Sequence, residues 1–124
     1  MIGYVTLGVS NLEQAKRFYT EVLAEAGIKQ FHETERGVFF GRAADQPLLT
    51  ICIPFNQQPA SFGNGTMVAL QFDSVTQIDS AYAKAIALGG SCEGQPGYRV
   101  ENVFYAAYVR DLDGNKLAFT RRES

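Results

Sequence analysis

The feature that most constrains this chain is an internal repeat. The stretch Tyr4–Gly27, YVTLGVSNLEQAKRFYTEVLAEAG, returns in weakened form as Met67–Gly90, MVALQFDSVTQIDSAYAKAIALGG, 63 residues later. Aligned without a gap, Val5 meets Val68, Leu7 meets Leu70, Gln14 meets Gln77, Tyr19 meets Tyr82 and Gly27 meets Gly90. Identities are few, but the apolar pattern agrees throughout. Each copy reads as a short apolar strand, a polar break, an amphipathic helix and a closing glycine. Two such units in 124 residues imply one domain of two similar halves.

Residues 4–9 alternate and are rich in β-branched and aromatic types, which predicts a strand. Ser10 or Asn11 is a suitable helix N-cap, and Glu13 lies in the first turn, where the helix dipole favours an acid. Leu12, Ala15, Phe18, Tyr19, Val22 and Leu23 then form one apolar stripe at helical spacing, and Gly27 ends the helix. Strands are expected over 28–35, 37–42 and 48–53, with turns at Arg36-Gly37 and 43–47. In the second half, 67–72 reads as a strand. Asp73 or Ser74 caps a helix bearing Val75, Ile78, Tyr82, Ala85, Ile86 and Leu88, which Gly89-Gly90 stops. Residues 91–97 read as loop or a short strand, with Arg99, Glu101 and Asn102 in a loop over the mouth of the site. Strands over 104–110 and 116–121 are joined by DLDGN, a turn chemistry that supplies positive φ.

The expected fold is therefore α+β, with βαβββ occurring twice. Module one spans about 1–55, a Gln/Asn/Pro/Ser/Gly-rich linker 56–65, and module two about 66–124. One helix covers one face of each small sheet. Two modules edge to edge form a curled mixed sheet whose other face is a central trough, the place where a ligand is expected.

Composition narrows the partners. The net charge is −2 and 46% of residues are apolar. No basic patch points to nucleic acid, and no apolar run is long enough for a membrane span. No signal peptide is expected, since no charged region precedes a long apolar run. Cys52 and Cys92 lack metal-type spacing and read as free, buried thiols in a reducing compartment, so the cytoplasm is expected.

The tandem βαβββ plan, the opening YVTLGVSNLEQAKRFYTEVL, the midpoint NGTMVAL and the closing AYVRDLDGNKL resemble the vicinal oxygen chelate superfamily, which includes glyoxalase I, bleomycin-resistance proteins, fosfomycin-resistance enzymes and extradiol dioxygenases. The DLDGN turn is similar to the family's D-P-D-G-N, with Leu112 in place of Pro. The resemblance implies a glyoxalase-like fold, a homodimer and, in metal-dependent members, a divalent ion held by His or Glu from four strands. Those four positions fall on Tyr4, near Thr50, on Met67 and on Ala118. None is a standard hard-metal ligand, so no metal and no cofactor are expected. The one histidine, His32, precedes Glu33 in a strand, where the two point to opposite faces. That leaves too few ligands on one side for a metal site.

The trough is expected to be lined by Tyr4, Phe40, Arg42, Thr50, Met67, Tyr105, Lys116 and Ala118. Arg42 could hold an anionic group by a bidentate pair or simply pair with a surface acid. Lys116, two residues before Ala118, shares its face, or is a solvated hairpin residue. Tyr4 is the candidate acid catalyst, or an aromatic filling the space of a metal. Tyr105 and Tyr108 lie on the same or opposite faces depending on bulges. Cys52, in LLTICIP, has no nearby base and reads as an inert buried thiol. No G-x-S-x-G and no glycine-rich phosphate loop is present.

Three functions fit. The first is a metal-independent small-molecule-binding protein similar to bleomycin-resistance proteins, its nine Phe and six Tyr offering stacking surfaces. The second is a glyoxalase-like lyase or dioxygenase-type enzyme using non-standard metal ligands. The third is a metal-independent enzyme using Tyr, Arg and Lys as acid-base groups. The first is favoured by the missing ligands.

Overall fold

The computed structural model describes residues 1–123. Module one runs β1 (Tyr4–Gly8), α1 (Leu12–Ala24), β2 (Lys29–Glu33), β3 (Gly37–Gly41) and β4 (Leu48–Cys52). Module two runs β5 (Met67–Gln71), α2 (Val75–Ala87), β6 (Ser91–Val100), β7 (Phe104–Arg110) and β8 (Lys116–Arg122). Each bound of β5 and α2 lies 63 residues after the matching bound of β1 and α1, so the repeat read in the sequence is a repeat of structure. The strands form two four-stranded mixed sheets, β1-β4-β3-β2 and β5-β8-β7-β6. β1 runs parallel to β4 and β5 parallel to β8, the other pairings being antiparallel. β1 and β5 each keep one free edge.

The helices form where the caps and stripes predict. Asn11 Oδ1 accepts from Gln14 N at 3.0 Å and Ser74 Oγ from Gln77 N at 3.2 Å, satisfying first-turn amides. Ala15, Phe18, Tyr19, Val22 and Leu23 are all buried on α1. On α2 the buried residues are Ile78, Ala81 and Ala85, whereas Ile86 is exposed. Alanines carry the close approach there, and an alanine gives little signal in a hydrophobic stripe. Gly27 and Gly89 adopt positive φ of 72° and 104°, the left-handed step that ends each helix.

One difference from expectation lies at β6. Residues 91–100 form a continuous ten-residue strand rather than a loop or a short strand. Gly94, Pro96 and Gly97 read as breakers, but β6 is an edge strand, where a missing N–H is tolerated. Register shifts between Cys92 and Gly94 and between Gly94 and Gly97 absorb them as bulges, which bend the strand. Arg99 therefore belongs to β6, and only Glu101 and Asn102 lie in the following turn.

One hydrophobic cluster runs through both modules, with Phe18, Tyr19, Phe40, Ile51, Ile78, Leu117 and Phe119 among its buried members. The two helices contact each other within it. At about 25 cal/mol per Å² of apolar area, such side chains dominate the stability of the joint.

Candidate functional site

The β7–β8 hairpin locks module two onto module one. Gly114 turns it at a φ of 87°. Asp111, only 6% exposed, receives four hydrogen bonds. Oδ1 accepts from the backbone N–H groups of Asp113 and Asn115, at 2.9 and 2.8 Å. Oδ2 accepts from the buried Tyr19 hydroxyl at 2.6 Å and from Asn115 Nδ2 at 2.9 Å. Asn115 Nδ2 also donates to the Gly8 carbonyl at 2.9 Å, and Ser10 donates through N and Oγ to Asp113. The end of β1 and the start of α1 are thus tied to the DLDGN turn. Burial beside the Asp111 and Asp113 carboxylates holds the Tyr19 phenol well above its usual range, so it stays a donor.

Alternation then decides which side chains face away from this core. In β1 and β4, Leu7, Leu49 and Ile51 point into it, so Tyr4, Thr6, Thr50 and Cys52 point to the other face. Register adds Phe39, which pairs with Thr50, and His32, which pairs with Phe39. The Tyr4 and His32 rings lie 5.8 and 5.9 Å from the Phe39 ring. His32 and Glu33 do point to opposite sides, since Glu33 pairs with Lys16 of α1 at 2.7 Å. Tyr4 is 60% exposed, whereas Thr50 is 2% exposed and its Oγ1 has no hydrogen-bond partner. Cys52 is half-buried rather than buried. It helps to line a cavity of about 460 Å³ with Thr6, Gly8, Arg36, Pro54 and Phe55 of module one and Gln58 of the linker.

The matching face of module two presents Met67 and Ala69 from β5, Lys116 and Ala118 from β8, and Ala106 and Tyr108 from β7. Ala106 and Ala118 are fully buried, while Met67 on the edge strand is 43% exposed. Lys116 Nζ lies 5.7 Å and Arg99 Cζ 5.3 Å from the Tyr108 ring centre. The β7–β8 ladder is regular, so Tyr105 and Tyr108, three apart, face opposite ways. Tyr105 turns to α2 and donates to Asp79 Oδ1 at 2.6 Å. That bond and partial burial push its phenol up to about 12.

A larger cavity, about 650 Å³, wraps the free edge of β5. Val68 and Leu70 line it from one face of that strand and Ala69 and Gln71 from the other, opposite Val5, Phe40 and Leu49 of module one. Arg42 stands at its wall. Its Nε donates to the Ala26 carbonyl at 3.0 Å and a terminal nitrogen to the Gln71 carbonyl. Among the described residues it pairs with no acid, and it staples the end of β3 to the end of β5.

The eight expected trough residues thus fall into separate places. Tyr4 and Thr50 lie on the outer face of module one. Met67, Lys116 and Ala118 lie on the outer face of module two. Arg42 lines the cavity at the joint. Phe40, 1% exposed, faces the core because it alternates with Phe39, and meets that cavity only from inside. Tyr105 sits on the helix side. Tyr108, whose face depended on bulges, and Arg99, expected in a loop, instead join Lys116 on the outer face of module two. The regular β7–β8 hairpin could have placed Tyr108, but the bulged β6 could not have been read from EGQPG.

The same architecture and sequence pattern recur in known proteins. The model of the Glyoxalase/Bleomycin resistance protein/Dioxygenase superfamily matches residues 1–119. This chain belongs to that superfamily. It is similar to a glyoxalase/bleomycin resistance protein from Albidiferax ferrireducens, with 36% identity over 98% of each chain and a TM-score of 0.90. The fold is also shared with a hypothetical protein from S. aureus, at 22% identity and TM-score 0.72 over 98% of this chain and 92% of that one. A third neighbour is the genomically encoded fosfomycin resistance protein FosX from Listeria monocytogenes, at 18% identity and TM-score 0.70 over the same shares. No curated protein sequence gives a significant match.

For this superfamily member, the metal implied by the resemblance does not fit the donors present. Tyr4, Thr50, Met67 and Ala118 offer a phenol, a hydroxyl, a thioether and a methyl. Among the described residues no three His, Cys, Asp or Glu side chains cluster as a metal site. A divalent ion needs several converging imidazole, thiolate or carboxylate groups.

Proposed function

We propose that the chain is a metal-independent small-molecule-binding protein that works as a homodimer in a reducing, cytoplasmic setting. The observation that carries the reading is the chemistry of the four strand positions, Tyr4, Thr50, Met67 and Ala118. They stand on the outer faces of the two sheets and offer no hard-metal donor. A hydroxyl held without a partner (Thr50) and a phenol flanked by two cations (Tyr108) are polar groups suited to orienting a ligand in an apolar surround.

Pairing of two copies supplies the trough that one chain leaves divided. The free edges of β1 and β5 are unpaired ladders, and an open edge invites a strand. The groove around β5 has room beside that edge. A second copy placing its β1 there sets the Tyr4–Thr50 face of one chain beside the Met67–Ala118 face of the other. By symmetry the arrangement occurs twice and closes.

The test is thermal melting in EDTA against a small-molecule library, with sedimentation to give the oligomeric state. A ligand-dependent rise in Tm with chelator present, in a dimer, supports the reading. A monomer whose melting no compound shifts contradicts it, and steady turnover of a bound compound makes it an enzyme instead.

A further inference from the structure

The outer face of module two carries positive charge that forms no ion pair among the described residues. The net charge is −2, yet Arg99, Lys116 and Arg122 have no carboxylate partner among the described residues, where the ion pairs use Lys16, Lys84, Arg110 and Arg121. Glu93, on β6, is already paired with Arg110 at 3.0 Å. Arg99 and Lys116 come from the two strands flanking β7 and both approach one ring, that of Tyr108.

This convergence is built rather than incidental. Arg99 is curled back by its own strand, donating to the carbonyls of Gln95 at 2.6 Å and Gly97 at 3.2 Å. Tyr108 lies over Gly94, where an added Cβ would stand 2.9 Å from the ring and 3.2 Å from Arg99. The glycine therefore makes room for both. The Tyr108 ring attracts each cation, and an anion placed beside the ring is attracted by both. The Tyr108 hydroxyl makes no hydrogen bond among the described residues.

We infer that this cluster recognises the carboxylate of the ligand, with Lys116 and Arg99 as its cationic partners and Tyr108 as a further donor. This rests on the reading of the outer faces as a ligand trough. It narrows the ligand class to small organic acids.

The probes are matched pairs of small carboxylic acids and their primary amides, beginning with benzoate and benzamide, titrated by calorimetry and thermal shift. Acids bind at least tenfold more tightly than their amides, and the preference shrinks as salt rises. Lys116→Gln and Arg99→Gln each weaken acid binding about tenfold, Lys116→Arg retains it within about threefold, and Arg17→Gln on exposed α1 leaves it unchanged. If amides bind as well as acids, the carboxylate inference fails while the trough reading stands. Acids that bind equally well to the Lys116 and Arg99 variants, shown folded by circular dichroism, overturn the placement. If no member of either set binds, the carboxylate inference falls, while the trough reading is decided by the library melt.

Discussion

Replacing Tyr19 by Phe tests how the two modules are held in register. The ring is fully buried and packs 5.1 Å from Phe18 and 6.3 Å from Phe40 between ring centres, so Tyr19→Phe keeps the packing and removes one bond. That bond, 2.6 Å to Asp111, ends on a carboxylate, and such bonds contribute about 1.5–3 kcal/mol. Asp111 keeps its three N–H donors, from Asp113, Asn115 and the Asn115 side chain, so it is not stranded. The expected loss is about 2 kcal/mol. With an unfolding entropy of about 2.1 cal/mol/K per residue, that lowers Tm by roughly 8 °C. Urea unfolding and differential scanning calorimetry at fixed protein concentration measure it. Asp111→Asn costs more, about 3 kcal/mol, because an amide has one acceptor oxygen for four donors. In the double variant the two effects fall short of additive by about 1 kcal/mol or more. The sign with pH follows from the raised Tyr19 phenol. Its contribution is complete below pH 10 and is lost as pH rises above 10 toward the folded value, because the unfolded chain gives up the proton first. Tyr19→Phe therefore loses less stability than the parent on going alkaline. A Tm within 2 °C of the parent refutes the clamp.

Thr50→Val removes a buried hydroxyl with no partner, so the free protein gains about 0.5–1 kcal/mol while ligand affinity falls, as a melting curve and a titration of the same sample show. Gly114→Ala forces a side chain onto a φ of 87° and places its Cβ 2.5 Å from the Phe62 ring, costing about 1–2 kcal/mol by urea unfolding. Ultraviolet titration of the tyrosines shows one phenol near pH 12, removed by Tyr105→Phe or shifted downward by Asp79→Asn. The associated stability is present below pH 10 and lost between pH 10 and about 12.

The elements were legible because local signals agreed with the tertiary demand. The offset that sets Val5 on Val68 also sets the bounds of both helices, and the caps at Asn11 and Ser74 mark where those helices begin. Orientation was legible where a strand is regular: LLTIC alternates, so Thr50 and Cys52 had to face away from Leu49 and Ile51. Less could be read where backbone geometry departs from the ideal. The bulges of β6 bring Arg99 to Tyr108, and no periodicity encodes a bulge. Phe39 and Phe40 are identical in type, and only the register of β3 on β4 turns one outward. The relation of the two sheets was the least accessible, because a repeat specifies each half but not which edge meets which. That depends on contacts such as Tyr19 with Asp111 and Arg42 with the Gln71 carbonyl, each linking residues far apart in sequence.

Metal independence depends on what the strands offer at Tyr4, Thr50, Met67 and Ala118, and elemental analysis of protein made without chelator or affinity metal tests it directly. Mass-spectrometric quantification of Zn, Ni, Mn, Fe and Co per chain is predicted to stay far below one for every element, with melting unchanged by EDTA. One equivalent of any of them per chain, removed by chelator with a fall in Tm and restored by adding the ion back, contradicts the account.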